Sequence, residues 1–354
     1  MSWENKVRRV VPYVAGEQPQ DQNVIKLNTN ECPYPPAPGV EEVLHHFDGN
    51  VLRKYPDPDV TLLRNALADR YQVKPGQVFV GVGSDDVLSM AFLTFFNSDK
   101  PVLFPDITYS FYDVWADLYR IPYECQPLDE DFHWKKEDYL KENGGIVLAN
   151  PNAPTGLAVS ASQIEEIISA NQDSVVIVDE AYVDFGAESC VPLVDKYENL
   201  LVTQTFSKSR SLAGLRIGFA IGSQKLIGYL NDAKFSFNSY TMNAPTIAAG
   251  VASVEDEEYF QKTVARVVRT RENTKKKLTR LGFTFPDSST NFIFATHKDI
   301  PGEELFQALR SHNIYVRHWN KPRIQDSLRI SIGTDEEMQA LIAFLEDYLE
   351  RRGN

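Results

Sequence analysis

Cysteine is scarce in this sequence. Three of the 354 residues are cysteines, Cys32, Cys125 and Cys190, and they form neither a CxxC pair nor a spacing typical of metal ligands. A small, odd number of scattered cysteines is typical of reduced thiols in an intracellular protein, whereas a disulfide framework needs paired ones. We therefore expect a cytoplasmic protein without structural disulfides and without a metal site.

Positive charge and long apolar runs are also scarce. The chain has 36 lysine and arginine residues against 49 aspartate and glutamate residues, which gives a net charge of −13. This balance argues against a nucleic-acid-binding surface and against binding to an anionic membrane. No apolar run reaches the roughly 18 residues of a membrane span, and residues 1–6 are polar, so we expect neither a span nor a signal peptide.

What the sequence does contain is an alternation of apolar strands and helical segments. Residues 78–92 are typical of a strand, a glycine loop and a helix, and 174–185 is a β-branched strand that ends in carboxylates, as central parallel strands do. After Gly250 a long charged helix is predicted at 256–281. Three short strands follow, at 291–295, 314–317 and 327–333. We predict an α/β protein with a second, α+β lobe.

Lys208 is the candidate chemical centre. It follows an apolar strand at 200–202 and lies among small hydroxyl residues, with Arg216 further along. A deprotonated lysine amine that points into a cleft can form a Schiff base with a carbonyl group. Thr205, Ser207 and Arg216 together can hold a phosphate through hydroxyls and a guanidinium. The alternative is a solvated surface lysine, which is the usual state of this residue.

The stretch from Ser207 and Lys208 to Gly214-Leu215-Arg216-Ile217-Gly218 resembles the lysine motif of the fold-type I aminotransferases that use pyridoxal 5′-phosphate. The resemblance implies that Lys208 attaches this cofactor covalently and that Arg216 binds its phosphate. It also implies a mixed, mostly parallel seven-stranded sheet in the large domain. The expected division is an N-terminal arm at 1–40 that joins the small domain, a large cofactor-binding domain at 41–250 and a small domain at 251–354.

Further motifs match the cofactor-binding residues of that family in order along the chain. Gly83, Ser84 and Asp85 resemble its phosphate loop, where backbone N–H groups at a helix start suit an anion. Tyr109 stands where the family has an aromatic residue stacked on the cofactor ring. Asp179 matches the carboxylate that faces the ring nitrogen and keeps it protonated. A helix cap is the alternative role for Asp179.

Two more matches concern the phenolic oxygen of the cofactor. Tyr182 matches a tyrosine that bonds this oxygen. Asn150-Pro-Asn-Ala-Pro-Thr-Gly156 resembles a motif whose last asparagine bonds the same oxygen, but this chain has Ala153 there. We expect Asn152 to take the role through a shifted loop; the alternative is that the contact is lost.

The N-terminal segment Leu27-Asn-Thr-Asn-Glu31 and the segment 53–58 resemble signatures of the histidinol-phosphate aminotransferases. The resemblance implies that Tyr55 reaches the cofactor phosphate in the other subunit of a homodimer. The implied substrate-binding residues are Tyr13, Asn30, Arg317 and Arg329. The two arginines lie on predicted strands, where a planar guanidinium is a natural partner for a phosphate or carboxylate.

The resemblance implies a reversible amino transfer between glutamate and imidazole acetol phosphate, with histidinol phosphate and 2-oxoglutarate as the products. Lys208 would move the proton between the substrate and the cofactor, with Asp179 and Tyr182 assisting. An aromatic amino acid aminotransferase or a lyase such as L-threonine phosphate decarboxylase would share these cofactor motifs. A dinucleotide enzyme is disfavoured, because 81–86 lacks the third glycine of the G-x-G-x-x-G motif.

Overall fold

The structure, a computed structural model, describes residues 2–19 and 23–353. The β-strands are β1 (Ile25–Leu27), β2 (Val78–Gly81), β3 (Val102–Pro105), β4 (Tyr123–Gln126), β5 (Gly145–Ala149), β6 (Val176–Asp179), β7 (Leu200–Thr205), β8 (Gly218–Gly222), β9 (Phe283–Thr284), β10 (Phe292–His297), β11 (Ile314–His318) and β12 (Ser327–Ser331). The α-helices are α1 (Pro38–His45), α2 (Thr61–Tyr71), α3 (Ser84–Phe95), α4 (Tyr112–Tyr119), α5 (Ala161–Ala170), α6 (Gln224–Phe237), α7 (Ala244–Glu255), α8 (Glu257–Arg280), α9 (Gly302–Ser311) and α10 (Asp335–Gly353).

The larger sheet has seven strands in the order β2-β8-β7-β6-β5-β3-β4. Strand β8 runs antiparallel to both of its neighbours, and the other strands are parallel to one another. Strands β5, β6 and β7 are buried along their whole length, which explains their unbroken apolar, β-branched sequences. The predicted mixed, mostly parallel sheet is confirmed.

Helices cover both faces of this sheet. One apolar layer joins it to α2, α5 and α7, and a second joins it to α3, α4 and α6. Because both faces are covered, polar side chains are accommodated at the strand ends, and in such doubly wound sheets ligands bind at the carboxyl edge. Within the part of the chain that the structure describes, no helix is both long and apolar enough to cross a membrane.

The second sheet has the order β1-β11-β12-β10-β9. Its strand β1 comes from the N-terminal segment and pairs in parallel with β11, with Ile25 opposite Ile314. An apolar cluster of α8, α9 and α10 covers the sheet and includes Leu27. The segment that carries Asn28, Thr29 and Asn30 is thereby fixed to the same sheet as the predicted substrate-binding arginines.

The predicted domain boundaries, after residues 40 and 250, fall inside α1 and α7, and these two helices pack against each other. The division at 1–40, 41–250 and 251–354 stays a prediction. The second boundary was predicted from a change in residue composition. This change is the transition from the apolar α7 to the charged α8, which begins at Glu257.

Candidate active site

The parallel strands bring the candidate residues to one edge of the larger sheet. Strands β2, β3, β5, β6 and β7 all end at this edge, and β8 begins there. Two adjoining cavities open beside it and share part of their lining, namely Thr29, Tyr109, Ala153, Tyr182 and Lys208. We call the cavity that contains Asp179 and Arg216 the inner cavity. The outer cavity contains Arg317 and Arg329.

Lys208 lies where the two cavities meet. Strand β7 ends at Thr205, and the following turn carries the half-buried Lys208 side chain into the cleft. Its Nζ donates a hydrogen bond of 3.1 Å to the backbone carbonyl of Thr29 and lies 5.8 Å from the centre of the Tyr182 ring. The amine therefore has a defined position on the cavity wall, between the large sheet and the N-terminal segment.

The predicted phosphate-binding residues cluster at the start of α3. Ser84 is the first residue of that helix, and it lines the inner cavity together with Thr205 and Ser207. The guanidinium of Arg216 lies 3.3 Å from the Asp85 carboxylate. Hydroxyls, a guanidinium and a helix start are the groups that bind a phosphate.

Two glycines allow this cluster to form. Gly83 has a φ of +88°, and a Cβ there would lie 2.5 Å from Nη2 of Arg216. A Cβ on Gly218 would lie 2.2 Å from the backbone nitrogen of Ser84. Any side chain at either position would fill the space around the free N–H groups of the helix, so only glycine lets a phosphate approach them.

Asp179 is the buried carboxylate of the inner cavity. It ends β6, is 5% exposed and accepts a 2.8 Å hydrogen bond from the hydroxyl of Tyr112. Burial raises the pKa of Asp179 to about 6. Among the described residues it forms no ion pair with a lysine or arginine, so a cation such as a protonated ring nitrogen would complete its environment.

Tyr182 and Asn30 form a pair on the cavity wall. The side-chain amide of Asn30 donates a 2.9 Å hydrogen bond to the Tyr182 hydroxyl, and the amide oxygen of Asn30 accepts one of 3.0 Å from Ser331. Asn30 was predicted to bind substrate. It lines the outer cavity, its amide orients Tyr182, and its contact with substrate stays a prediction.

The structure does not bring Asn152 to the cavity. Its side-chain nitrogen donates to the carbonyl of Ile107 and to the hydroxyl of Thr155, both at 3.0 Å, and its oxygen accepts from Thr108 at 2.7 Å. Ala153 lines both cavities instead. In this structure the amide of Asn152 stabilises its own loop, and its replacement of the missing asparagine stays a prediction.

Tyr109 and Tyr13 form the aromatic lining. Tyr109 borders both cavities and donates a 2.8 Å hydrogen bond from its hydroxyl to Asp85. Tyr13 lines the outer cavity and stacks on Phe111 with ring centres 4.1 Å apart. Both tyrosines thus line the cleft that also contains Lys208, and aromatic rings there suit planar ligands.

Tyr55 lies on the outer surface. Its side chain is 82% exposed and stacks on Tyr240 with ring centres 4.6 Å apart. It is not among the described residues that line either cavity. Within one chain the structure therefore separates Tyr55 from the other predicted site residues.

Sequence reasoning missed several residues of the site. Tyr112 bonds Asp179, Thr29 fixes Lys208 through its carbonyl, and Trp319 and Lys321 line the outer cavity beside the arginines. The sequence did contain a signal for Tyr112, because a tyrosine in an apolar helix needs a hydrogen-bond partner for its hydroxyl when it is buried. Thr29 acts through its backbone, which no side-chain pattern can indicate.

The inner cavity fits pyridoxal 5′-phosphate. The carboxylate of Asp179 lacks a cationic partner among the described residues, and the ring nitrogen of the cofactor would supply one. The space kept open by Gly83 and Gly218 beside Ser84 and Arg216 suits a phosphate. Lys208 is the single lysine among the described residues that line the cavity, and it can bind the cofactor covalently.

Comparison with known proteins agrees with this geometry. Residues 22–345 match the family model described as aminotransferase class I and II. The chain is 54% identical over 352 residues to histidinol-phosphate aminotransferase of Lactococcus lactis subsp. cremoris strain MG1363, which covers 99% of each chain. It is 53% identical over 344 residues to the protein of that name from Chromohalobacter salexigens, which covers 97% of this chain and 98% of the relative.

The fold is also found among solved structures. Histidinol-phosphate aminotransferase from Sinorhizobium meliloti, crystallised in complex with pyridoxal-5′-phosphate, superposes with a TM-score of 0.84. The match has 23% sequence identity and covers 92% of this chain and 90% of that chain. From the family model and the identity to its curated relatives, the chain belongs to the class I and II aminotransferase family.

Proposed function

We propose that this protein is a pyridoxal-phosphate-dependent aminotransferase that transfers the amino group of glutamate to imidazole acetol phosphate. The products are histidinol phosphate, an intermediate of histidine biosynthesis, and 2-oxoglutarate. The proposal depends on one observation: Lys208 lines the same cavity as Arg317 and Arg329. Neither arginine has a carboxylate partner among the described residues. The names of relatives at 54% and 53% identity support the proposal. We place the reaction in the cytoplasm, because the three cysteines are unpaired.

The residues of the inner cavity would hold the cofactor. Its phosphate binds to the hydroxyl, guanidinium and N–H groups around the start of α3, which belong to Gly83, Ser84, Asp85, Thr205, Ser207 and Arg216. Asp179 would pair with the ring nitrogen, Tyr182 would donate to the phenolic oxygen, and Tyr109 would cover the ring. When bound, the cofactor supplies an electron sink for the pair that the substrate α-carbon keeps when it loses a proton.

Lys208 has two functions in this proposal. Its Nζ would hold the cofactor covalently, and the same amine, when free, would accept the proton of the substrate α-carbon as a general base. The carbonyl of Thr29 accepts a hydrogen bond from the Nζ and orients the amine toward the junction of the two cavities. Proton transfer by one positioned amine keeps the reaction stereospecific.

The outer cavity would bind the rest of the substrate. Arg317 and Arg329 hold the phosphate of histidinol phosphate in one half-reaction and a carboxylate of glutamate in the other. Tyr13, stacked on Phe111, presents a flat surface to the substrate, and Asn30 supports the wall behind it.

The first test compares substrates. With glutamate as the amino donor, we expect kcat/KM for imidazole acetol phosphate to exceed that for phenylpyruvate by at least about tenfold, because only the former places a dianion on the arginine pair. Initial rates of 2-oxoglutarate formation measure both reactions. A higher kcat/KM for phenylpyruvate would instead identify an aromatic aminotransferase. Release of carbon dioxide from L-threonine phosphate, faster than any transamination, would identify a lyase.

We also propose that the protein is a homodimer whose sites are shared between chains. Several large apolar side chains around Tyr55 in the sequence and next to its stacking partner are exposed, among them Leu52 at 61%, Leu62 at 69% and Phe237 at 76%. Exposed apolar side chains in this number are typical of an interaction surface. In an isologous dimer such a surface is covered by its copy, and Tyr55 then serves the cofactor phosphate of the partner.

Mixed dimers test this arrangement. Tyr55→Phe and Lys208→Ala chains would be defective in different sites, so a heterodimer carries one site with both lesions and one with neither. Refolding the two variants together should raise activity above either alone, toward about half of the unmodified activity per heterodimer. Tyr55→Phe on its own must be clearly impaired for the measurement to be informative.

The matched control pairs Lys208→Ala with Asp179→Asn. Both residues line the inner cavity of the same chain, so each site of this heterodimer keeps one lesion and activity should not recover. An isolated heterodimer of Tyr55→Phe and Lys208→Ala that shows no gain over this control would contradict the shared site.

A further inference from the structure

Two arginines of the outer cavity lie directly opposite each other. Arg317 on β11 and Arg329 on β12 are register partners in an antiparallel pair, and both line the outer cavity. Like charges in this position repel, which destabilises the sheet. The fold must therefore contain contacts that hold the two guanidinium groups together before any anion binds.

Hydrogen bonds to backbone carbonyls are some of the contacts that hold the two guanidinium groups in place. Arg317 donates from Nη2 to the carbonyl of Val14 at 3.2 Å, and Arg329 donates from Nη2 to the carbonyl of Asn28 at 3.0 Å. The Nε of Arg329 is buried and has no hydrogen-bond partner. Neither arginine pairs with a carboxylate among the described residues, so most of their N–H groups are available to a ligand.

Trp319 contacts both arginines. The centre of its ring lies 5.3 Å from the guanidinium carbon of Arg317 and 5.2 Å from that of Arg329. On Arg329 the ring of Phe292 adds a second contact, at 5.3 Å. The face of an aromatic ring carries negative potential, so a ring shared by two cations offsets their repulsion.

The position of Trp319 is itself fixed. The half-buried side chain packs against an apolar cluster that includes Ile107, Leu128 and Ile324. Two of these residues follow β3 and β4 of the larger sheet, so the indole is held between the two sheets. A ring fixed in this way also restricts the positions of the two guanidiniums that lie near it.

We propose that Trp319 is a positioning and specificity-determining residue for the anionic end of the substrate, acting through Arg317 and Arg329. This inference rests on the proposed function for the identity of the substrate. By holding both guanidiniums close to its ring, Trp319 keeps them together at the cavity, where one dianionic phosphate engages both. The cofactor residues of the inner cavity do not depend on it.

The test uses Trp319→Leu and Trp319→Phe in the holoenzyme. Leucine is apolar but has no ring. We expect Trp319→Leu to raise about tenfold both the KM for imidazole acetol phosphate and the Kd of inorganic phosphate, which titration calorimetry measures. The kcat should stay within about threefold, and Trp319→Phe should stay within about threefold in every quantity, since a ring face is retained. The absorbance spectrum of the bound cofactor should be unchanged in both variants.

Trp134→Leu is the matched control. Trp134 packs against the same apolar cluster and lies edge-on to Tyr139 at 6.0 Å, and among the described residues it forms no cation–π pair. An equal rise in KM for this control and for Trp319→Leu would mean that only apolar packing matters, which would overturn the inference, as would an unchanged phosphate Kd in Trp319→Leu. If the unmodified enzyme did not transaminate the phosphate substrate, the proposed function would fail, while the phosphate titration would still decide the role of Trp319.

Discussion

Replacing Lys208 with alanine is expected to lower the transamination rate by about 10⁴-fold or more, because the variant lacks the amine that transfers the substrate proton. The side chain is the only lysine that lines the inner cavity among the described residues, so no neighbouring amine can substitute for it. Ser84, Thr205, Ser207 and Arg216 remain in the variant. The cofactor should therefore still bind, without a covalent bond.

Borohydride reduction separates these effects. In the unmodified protein, reduction should fix the cofactor on the peptide that contains Lys208, and mass spectrometry after proteolysis locates the adduct. Lys208→Ala should give no fixed adduct. Lys225→Ala is the control, since Lys225 lies on α6 with its side chain 66% exposed, and it should behave like the unmodified protein. An adduct on a different lysine, or full activity in Lys208→Ala, would refute the assignment of Lys208.

The second large effect is expected for Asp179→Asn. An amide cannot supply the negative charge that keeps the ring nitrogen of the cofactor protonated, so kcat should fall by about 10²–10³-fold, roughly 3–4 kcal/mol of activation free energy. Cofactor binding should weaken less, because the phosphate-binding residues are untouched. Steady-state kinetics and a cofactor titration measure the two quantities separately.

Asp179→Asn should lower kcat, but it should raise the free energy of unfolding of the cofactor-free protein at neutral pH. Burial raises the pKa of Asp179 in the folded protein to about 6, above the value of about 3.9 in an unfolded chain. The protonated carboxyl therefore contributes fully below about pH 4, and roughly 3 kcal/mol is lost as the pH rises through 6. In the cofactor-free protein, Asp179→Asn should remove this loss. Urea unfolding at about pH 4 and pH 8 measures it.

Glu180→Gln is the control for burial alone. Glu180 is 1% exposed, and burial raises its pKa to about 7. It accepts hydrogen bonds from Ser189, Gln204 and the backbone of Cys190 and does not belong to the lining of either cavity. Its replacement should change the pH dependence of stability and leave kcat within a few-fold. Equal losses of kcat in the two variants would mean that Asp179 acts only through stability.

Much of the fold was predictable because the relevant signals are local. Strand β6 is a β-branched run that ends in a carboxylate, and a parallel strand buried on both faces must have such a sequence. Helix α8, predicted at 256–281, spans Glu257–Arg280 because its apolar residues recur at the helical period. The sequence also placed Lys208, Asp179 and Ser84 at strand and helix ends, which meet at one edge when the strands are parallel.

By itself, therefore, the sequence determined the class of fold and identified Lys208 and the groups around it as candidates, since these depend on periodicity and on motifs that lie within a few residues. Only the tertiary structure decided which side chains face the cavity. Asn152 is turned into its own loop by Thr108 and Thr155, and Trp319 meets two arginines through the pairing of β11 with β12. Side-chain direction depends on hydrogen bonds and packing between segments that are distant in the chain, and no local pattern encodes those contacts.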